Sequence, residues 1–276
     1  MKLRVALPLF AFLSLTACAS FGTFAGQEGG EVQFANDPEE NLRKGDEAMS
    51  GKNYAEAASY FEYVKTKYPY LEVAKTAELR LADADFERDR FVEARDRYQN
   101  FGRLHPTHPK VDYAAFRAAF THYKEIPSDF FLLPPASEKD QVEVRNAMSA
   151  MTDFTRTYAG SEYLPEAKKV LDEVRLRLAE HELYVADFYA RRERWPAVVT
   201  RLNVVAKDYS GIGLDERASF GLYDAYVKLN QPSKARAALQ KYVDAFPDQP
   251  AAKKALKLIA ALPPTDPVTA PTDAGS

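Results

Sequence analysis

One spacing of small, large and aromatic residues recurs along this chain. In the segment 54–69, an aromatic residue is followed three positions later by an alanine, four positions after that by a large apolar residue, and at the end by tyrosine and proline. The segment 91–106 has the same residue classes at the same four positions, 37 residues later. Steps of three and four predict an amphipathic helix, which the closing proline ends. Looser copies follow, so that the five copies are centred on Ala57, Ala94, Ala147, Val198 and Ala235.

This pattern resembles the second helix of a tetratricopeptide repeat. The first helix of such a repeat carries a small residue about twelve positions before each alanine, where this chain has Gly45, Ala82 and Ala186, whereas Tyr223 departs from the rule. A single helix pair cannot bury its apolar face alone, so successive pairs stack. The sequence therefore predicts an all-α fold, a superhelical α-solenoid of five tetratricopeptide-like helix pairs.

The first residues have the pattern of an export signal. Lys2 and Arg4 precede an apolar run, 5–16, which is too short to span a bilayer but suits a signal peptide. The run ends in Leu-Thr-Ala-Cys, which resembles a bacterial lipobox with Cys18 as its acylated residue. The alternative is an ordinary secretory signal with a stray cysteine.

We therefore expect residues 1–17 to be a lipoprotein signal peptide and Cys18 to carry a covalent lipid. The next residue is Ala19, and not the aspartate that resembles an inner-membrane retention signal. We expect the protein to lie on the periplasmic face of the outer membrane. Cys18 is the one cysteine of the chain, so no disulfide can form within it.

Composition changes predict the domain boundaries. Residues 18–36 are rich in Gly, Ser, Gln and Glu and predict a flexible tether, while Asp37 and Pro38 begin the first helix. The repeat array is expected over 37–262, with an N-terminal half, 37–160, and a C-terminal half, 161–262. The last residues, 263–276, are predicted to be a disordered tail.

Two features interrupt the regular period within the array. A segment rich in proline, phenylalanine and leucine, 126–135, lengthens the third repeat, and Ser137 is expected to open the next helix. We expect the inserted segment to pack on the array or to belong to a binding surface. A long helical pattern from Ser161 to about Ala190 predicts a helix that joins the two halves.

Charge and motifs exclude several functions. The net charge is −3 and no long basic run is present, so we expect no nucleic-acid partner. His105 and His108 form a weak His-x-x-His signal on a loop, and His122 and His181 stand alone in the sequence, so no metal site is expected. We find no nucleophile elbow and no phosphate loop, and thus expect no enzyme and no cofactor beyond the lipid on Cys18.

The lipobox, the repeats and one central helix together resemble a single family. The helix runs from Leu178-Ala179-Glu180 to Phe188-Tyr189 and is followed by Trp195-Pro196-Ala197-Val198-Val199-Thr200-Arg201. These residues are similar to the BamD family, the ComL-like lipoproteins of the outer-membrane β-barrel assembly machine. The resemblance covers about residues 37–250; the insertion at 126–135 and the tail depart from it.

That resemblance implies a scaffold that helps to insert β-barrel proteins into the outer membrane. It implies partners: a BamA-type barrel subunit bound by the C-terminal half, other subunits of the complex, and unfolded barrel proteins recognised by a groove in the N-terminal half. Arg201 matches the family's arginine, and an exposed arginine there can form a forked pair with a carboxylate of the barrel subunit. The alternative for Arg201 is a solvated helix charge.

The repeat register predicts which residues line the inner face of the superhelix. Such a surface mixes aromatic residues with acids and suits an extended or amphipathic peptide. For Phe116 and Phe120 the alternative is a place in the core between neighbouring helices. The predicted groove residues are Leu42, Asp46, Met49, Leu79, Asp83, Phe86, Phe116, Phe120 and Tyr123.

Two other functions compete with the barrel-assembly scaffold. A pilotin-like repeat lipoprotein that escorts a secretin should lack the insertion and the long central helix. An envelope hydrolase or its regulator needs a nucleophile or a metal site.

Overall fold

The computed structural model describes residues 32–127 and 140–264. Its contacts divide the chain into two units, Met1–Gln33 and Phe34–Ser276, and every described helix belongs to the second. In the described residues the chain forms eleven α-helices and no β-strand. The helices are α1 (Pro38–Ser50), α2 (Tyr54–Lys67), α3 (Glu72–Glu87), α4 (Phe91–Leu104), α5 (Val111–Lys124), α6 (Val142–Thr157), α7 (Leu164–Ala190), α8 (Trp195–Asp208), α9 (Asp215–Lys228), α10 (Pro232–Ala245) and α11 (Pro250–Ala261).

The helices pack in chain order as five pairs and a closing helix. Each helix packs mainly on the helices before and after it, with smaller contacts of α1 with α3 and of α5 with α7. The second helices α2 and α4 begin 37 residues apart, as do α8 and α10. This confirms the predicted all-α array of five helix pairs. The cause is visible at the repeat alanines, because Ala57, Ala94, Ala147 and Ala235 are fully buried where two helices approach closely.

The first helix begins as its sequence predicts. The carboxylate of Asp37 accepts a hydrogen bond from the backbone N–H of Glu40 at 3.1 Å, and Pro38 occupies the first turn.

The turns inside four helix pairs share one backbone feature. Lys52, Asp89, Glu193 and Asn230 each have a φ between 56° and 61°, and each stands two residues before the second helix of its pair. Left-handed backbone is unfavourable for residues with a Cβ. The turn of the third pair contains residues 128–139, so most of the inserted segment 126–135, and Ser137, lie outside the described residues. Ile126, the first residue of the segment, packs against the hydrophobic cluster of α5, α6 and α7, and α6 begins at Val142.

Helix α7 is the long helix that the sequence predicts, and it contacts helices on both sides of it in the chain. Its first half packs with α5 and α6 through residues such as Val170 and Val174. Its second half packs with α8 and α9 through Leu183 and Ala186. The change falls between Leu178 and Ala179, so one continuous helix of 27 residues belongs to two hydrophobic clusters.

The last residues of the predicted tether are held on the first repeat. Phe34 stacks on Tyr63 with ring centroids 4.2 Å apart, and the Tyr68 hydroxyl donates to the carbonyl of Asn36 at 2.5 Å. The amide of Asn41, fully buried, accepts from the backbone N–H of Ala35 at 2.9 Å and donates to its carbonyl at 2.8 Å. The boundary of the packed array is thus corrected from residue 37 to Phe34.

The other boundary predictions fall largely beyond this description. The signal peptide, Cys18 and most of the tether lie outside the described residues, as does the tail after residue 264. Among the helices that are described, none is long and apolar enough to cross a membrane.

Candidate functional site

A buried carboxylate connects the first helices of the array. Asp83 on α3 is 4% exposed, and its Oδ1 accepts hydrogen bonds from the hydroxyls of Tyr98 at 2.6 Å and Tyr113 at 2.7 Å. Arg80 donates to Asp83 Oδ2 at 3.4 Å and pairs through its Nε with Asp46 Oδ1 at 3.0 Å. These five side chains belong to α1, α3, α4 and α5, so a single polar network ties four helices together.

The interior position of this network changes its protonation equilibria. Burial, and then the negative charge of Asp83, raise the pKa of Tyr98 and of Tyr113 far above the usual value. Burial also raises the pKa of Asp46, although the nearby Arg80 guanidinium acts in the opposite direction. The two hydroxyls therefore remain neutral donors to Asp83 across the physiological range.

A row of aromatic rings continues from this network toward α7. We call Phe86, Phe116, Phe120, Tyr123 and Tyr163 the aromatic row. Phe120 stacks on Phe86 at 6.1 Å between centroids, on Phe116 at 5.5 Å and on Tyr123 at 5.4 Å. Phe116 in turn stacks on Tyr163 at 5.3 Å. Rings of α3, α5 and the segment before α7 thus form one connected set, with Phe120 at its centre.

Arg117 adds a positive charge beside the aromatic row. Its guanidinium carbon lies 3.8 Å from the centroid of Phe86, and its Nε donates to the Tyr98 hydroxyl at 3.2 Å. Burial alone would lower the pKa of Arg117, but Tyr98 and Tyr113 hold it above its usual value. Helices α3 and α5 therefore carry aromatic rings next to a permanent cation.

The structure separates the nine predicted groove residues into two groups. Four of them are at most 7% exposed and form core, which corrects the prediction that they line a groove: Leu79, Asp83, Phe86 and Phe116. The physical reason is that α3 and α5 are covered by the next helix pair, because consecutive pairs pack closely. The other five are half-buried and keep surface that a ligand can touch: Leu42, Asp46, Met49, Phe120 and Tyr123.

Arg201 lies on α8 and already has an acidic neighbour. Its Nη1 donates to Glu182 Oε2 on α7 at 3.1 Å. The Arg201 side chain is 40% exposed and that of Glu182 is 13% exposed. One edge of the guanidinium is thus held by the protein, while another part faces solvent and is free to meet a carboxylate from outside.

His122 is not isolated, which corrects the sequence-based expectation. Its ring nitrogen, Glu125 and Glu143 offer ligand atoms within 4.8 Å of one another. Arg95 lies among them, with Nη1 at 2.6 Å from Glu125 Oε2 and 2.9 Å from His122 Nδ1. A guanidinium therefore supplies the positive charge at the place that a metal ion would take.

The His-x-x-His motif also has partners that the sequence does not show. His105 lies 2.8 Å from a carboxylate oxygen of Glu78, and His108 lies 3.6 Å from one of Glu72. Both glutamates are on α3, so the loop after α4 is connected back to the preceding helix. These contacts join residues 27 and 36 positions apart, which no local spacing reveals.

Known proteins share this sequence over most of its length. Outer membrane protein assembly factor BamD of Neisseria gonorrhoeae is 24% identical over 249 residues, covering 90% of this chain and 92% of that protein. The BamD of Neisseria meningitidis serogroup B is 26% identical over 258 residues, covering 91% and 94%. The BamD of Vibrio cholerae is 26% identical over 196 residues, covering 67% and 81%.

Solved structures give weaker similarity. The TPR2AB-domain:pHSP90-complex of yeast Sti1 aligns with 80% of this chain and 82% of that chain, at 14% identity and a TM-score of 0.39. A thermophilic TPR protein of Thermus thermophilus aligns with 81% of this chain and 99% of that chain, at 14% identity and a TM-score of 0.33.

One family model matches the array from the residues held by Asn41 to the last helix pair. The family model YfiO, described as an outer membrane lipoprotein, matches residues 35–242. This range begins within the segment that Asn41 holds and ends in α10. The chain belongs to the YfiO family of outer membrane lipoproteins, the family of assembly factor BamD.

Proposed function

We propose that this protein is a scaffold of outer-membrane protein assembly, held on the periplasmic face of the outer membrane by a lipid on Cys18. It acts by positioning partners and carries out no chemistry of its own. The observation that carries the proposal is the family match over 35–242, which includes both halves of the array and the helix between them.

The N-terminal half provides the surface for unfolded barrel proteins. Phe120 and Tyr123 are the accessible part of the aromatic row, and Leu42 and Met49 add half-buried apolar side chains on α1. Apolar anchors beside charged groups suit an extended or amphipathic peptide, and the strands of barrel substrates end in aromatic residues. The buried Asp83 network beneath supports this surface by holding α1, α3, α4 and α5 in place.

The C-terminal half provides the surface for a BamA-type barrel subunit. The exposed edge of Arg201 receives a carboxylate of that subunit, and Glu182 orients the guanidinium from the other side.

Depletion of the protein in its host tests the function. The expected result is a loss of many β-barrel proteins from the outer membrane. Loss of pili or of a secretin alone contradicts the proposal and points to the pilotin-like alternative. A pull-down from solubilised outer membrane should recover a barrel subunit, which mass spectrometry identifies.

Peptide binding tests the N-terminal surface separately. Phe120→Ala combined with Tyr123→Ala should weaken binding of a peptide with a C-terminal aromatic residue by about tenfold, since each of the two aromatic contacts contributes about 0.7 kcal/mol. Phe246→Ala removes a half-buried ring in the other half and is the matched control. If both variants bind the peptide equally well, the surface around Phe120 takes no part in substrate recognition.

A further inference from the structure

The second helices of the first two pairs border an open groove that the proposed function does not use. It lies between α2, the end of α3 and the start of α4, and has a volume of about 710 Å³. We call it the arginine groove and define it by Phe34, Tyr63, Leu81, Arg88, Arg90 and Arg97. Its apolar lining includes Leu81, the alanines Ala55 and Ala58 of α2, and the stacked rings of Phe34 and Tyr63.

Three guanidinium groups surround one buried carboxylate in this groove. Asp85 is 2% exposed, and its Oδ2 accepts from Arg97 Nε at 2.7 Å. Arg90 and Arg88 lie 3.3 Å and 3.9 Å from Asp85 Oδ1. The three arginine side chains are 35–43% exposed, so each keeps N–H groups toward the groove and solvent.

The charges lining the groove do not balance. Lys67 joins the three arginines, and Glu62 and Asp85 are the acids of the lining. Within the lining the cations exceed the acids by two, and Glu93, which lies outside the lining, pairs with Arg90 at 3.0 Å. The groove fits a ligand that carries an anionic group beside apolar atoms.

The length of chain between Cys18 and Phe34 limits how far this groove can lie from a lipid on Cys18. Phe34 is part of the groove, and Cys18 stands sixteen residues earlier in the sequence. Sixteen residues reach at most about 55 Å when fully extended. A lipid on Cys18 therefore keeps the groove within this distance of the bilayer surface, and this step rests on the proposed lipid anchor.

We propose that the arginine groove binds the phosphate of an anionic phospholipid headgroup. The planar fork of a guanidinium matches the geometry of a phosphate, and three forks converge here. The amphipathic ring of a tyrosine such as Tyr63 is favourable at the level of lipid headgroups. The lipid on Cys18 attaches the protein, and the groove then fixes which side of the first repeats faces the membrane.

Vesicle binding by the mature chain, from residue 18 onward, tests the proposal. Cys18→Ala removes the acylation site, so that binding reports headgroups and not the covalent lipid. In this background, Arg88→Gln with Arg90→Gln should lower partition onto vesicles of phosphatidylglycerol in phosphatidylcholine by about tenfold. Each basic residue near an anionic surface contributes about a fivefold factor, part of which Asp85 and Glu93 offset here. Arg97 is left in place because it is the nearest partner of the buried Asp85.

A matched double variant removes the same charge elsewhere. Arg156→Gln with Arg191→Gln changes two exposed arginines outside the groove and should leave partition unchanged. Every variant begins at residue 18, because residues 1–17 are expected to be removed as the signal peptide, and the apolar run 5–16 then adds no lipid affinity of its own. An equal loss in both double variants overturns the proposal, as does equal binding to pure phosphatidylcholine vesicles.

A label inside the groove locates the contact. With Cys18 replaced, Ser59→Cys gives a single cysteine on the groove lining, and Ser149→Cys gives one on α6. An environment-sensitive dye should shift toward the blue at residue 59 and not at residue 149 when phosphatidylglycerol vesicles are added. If the groove variants instead lose binding of polyglutamate while vesicle binding is unchanged, the occupant is an acidic peptide and the lipid proposal is wrong.

These outcomes are independent of the proposed function. A protein that binds vesicles normally but whose depletion spares barrel proteins contradicts the assembly role alone. A protein that is required for barrel assembly but whose groove variants bind vesicles normally contradicts the headgroup site alone.

Discussion

Asp83 is the residue on which the first helix pairs depend most for polar contacts. Its carboxylate accepts hydrogen bonds from the buried Tyr98, the half-buried Tyr113 and one guanidinium, and no buried side-chain polar atom in the described residues lacks a hydrogen-bond partner. Because a buried donor without an acceptor is costly, Tyr98 and Tyr113 are bound to Asp83 in the native state.

This arrangement predicts a loss of stability at alkaline pH. The pKa of Tyr98 and of Tyr113 is raised in the folded protein, so above about pH 10 the unfolded chain releases protons that the folded protein keeps. The contribution of these tyrosines to the free energy of unfolding should therefore be fully present below pH 10. Above pH 10 the free energy of unfolding should fall, by up to about 1.4 kcal/mol per pH unit for each tyrosine. Urea unfolding between pH 8 and 11 measures this slope.

Tyrosine replacements identify the source of the slope. Tyr98→Phe combined with Tyr113→Phe should reduce it, while Tyr70→Phe should not, because Tyr70 is 99% exposed. An unchanged slope in the double variant would assign the alkaline loss to other groups.

The contact between Arg201 and Glu182 predicts that two substitutions affect co-purification of the barrel subunit differently. Arg201→Glu should weaken co-purification of the barrel subunit, because it places a second carboxylate where a cation is needed. It should also cost about 1 kcal/mol of stability through repulsion from Glu182. Glu182→Gln breaks the same internal pair but leaves the cation free, so co-purification should be retained. Equal loss in both pull-downs would mean that Arg201 acts only inside the protein.

For single residues, the sequence predicted the helix on which a residue lies better than it predicted which side chains surround that residue. The register predicted that residues of α1, α3 and α5 share the inner face, but it could not show that Asp83 and Phe116 are covered by the next helix pair. The neighbours of His122 come from α4 and α6, so no local pattern announced them. Long-range packing decides both cases.

The helix pairs are the elements that repeat, and their turns repeat as well. Four turns place a residue in the left-handed region two positions before the second helix. For Lys52 and Glu193 this backbone is unfavourable, whereas Asn and Asp tolerate it better because their short side chains bond locally.

Glycine at these turns should therefore stabilise the array unequally. Lys52→Gly and Glu193→Gly should each raise the free energy of unfolding by about 0.5–1 kcal/mol, since relief of left-handed strain exceeds the added entropy of the unfolded chain. Asn230→Gly should change it by much less. Urea unfolding measures the three values, and Lys52→Ala is the control that keeps the strain. A gain for Asn230→Gly equal to that for Glu193→Gly would refute the explanation.

Most elements were predictable from the sequence because their signals are local. Proline and small-residue spacing gave α2, α4 and the long α7 within a few residues, and Asp37 and Pro38 gave the start of α1. The left-handed turns were missed, because Lys52 and Glu193 are not residue types that signal such a backbone. The segment Phe34–Asn36 was also missed, since its partners Asn41, Tyr63 and Tyr68 lie in the first two helices.

For the whole molecule, the decisive prediction concerns attachment. Cys18→Ala should release the protein into the soluble periplasmic fraction, because several acyl chains, at about 0.8 kcal/mol for each buried CH₂, supply most of the membrane affinity. Fractionation in high salt measures this, since salt weakens any headgroup contact of the arginine groove but not a covalent lipid. Continued pelleting with the membrane in high salt would contradict a lipid anchor on Cys18.

The whole array was predictable in architecture because stacked pairs depend on nearest neighbours, and each pair carried its own signal. The arginine groove was not predictable, since Arg88 and Arg97 meet Phe34 only when α2 and the α3–α4 turn pack together.

The pinned segment Phe34–Asn36 determines how tension on the lipid would enter the protein. This segment is held at three separate positions, by Asn41 of α1 and by Tyr63 and Tyr68 at the end of α2. A pull from the membrane is thus divided between both members of the first hairpin before it reaches any later one. Tension on the tether would therefore not pull α1 alone away from the rest of the array.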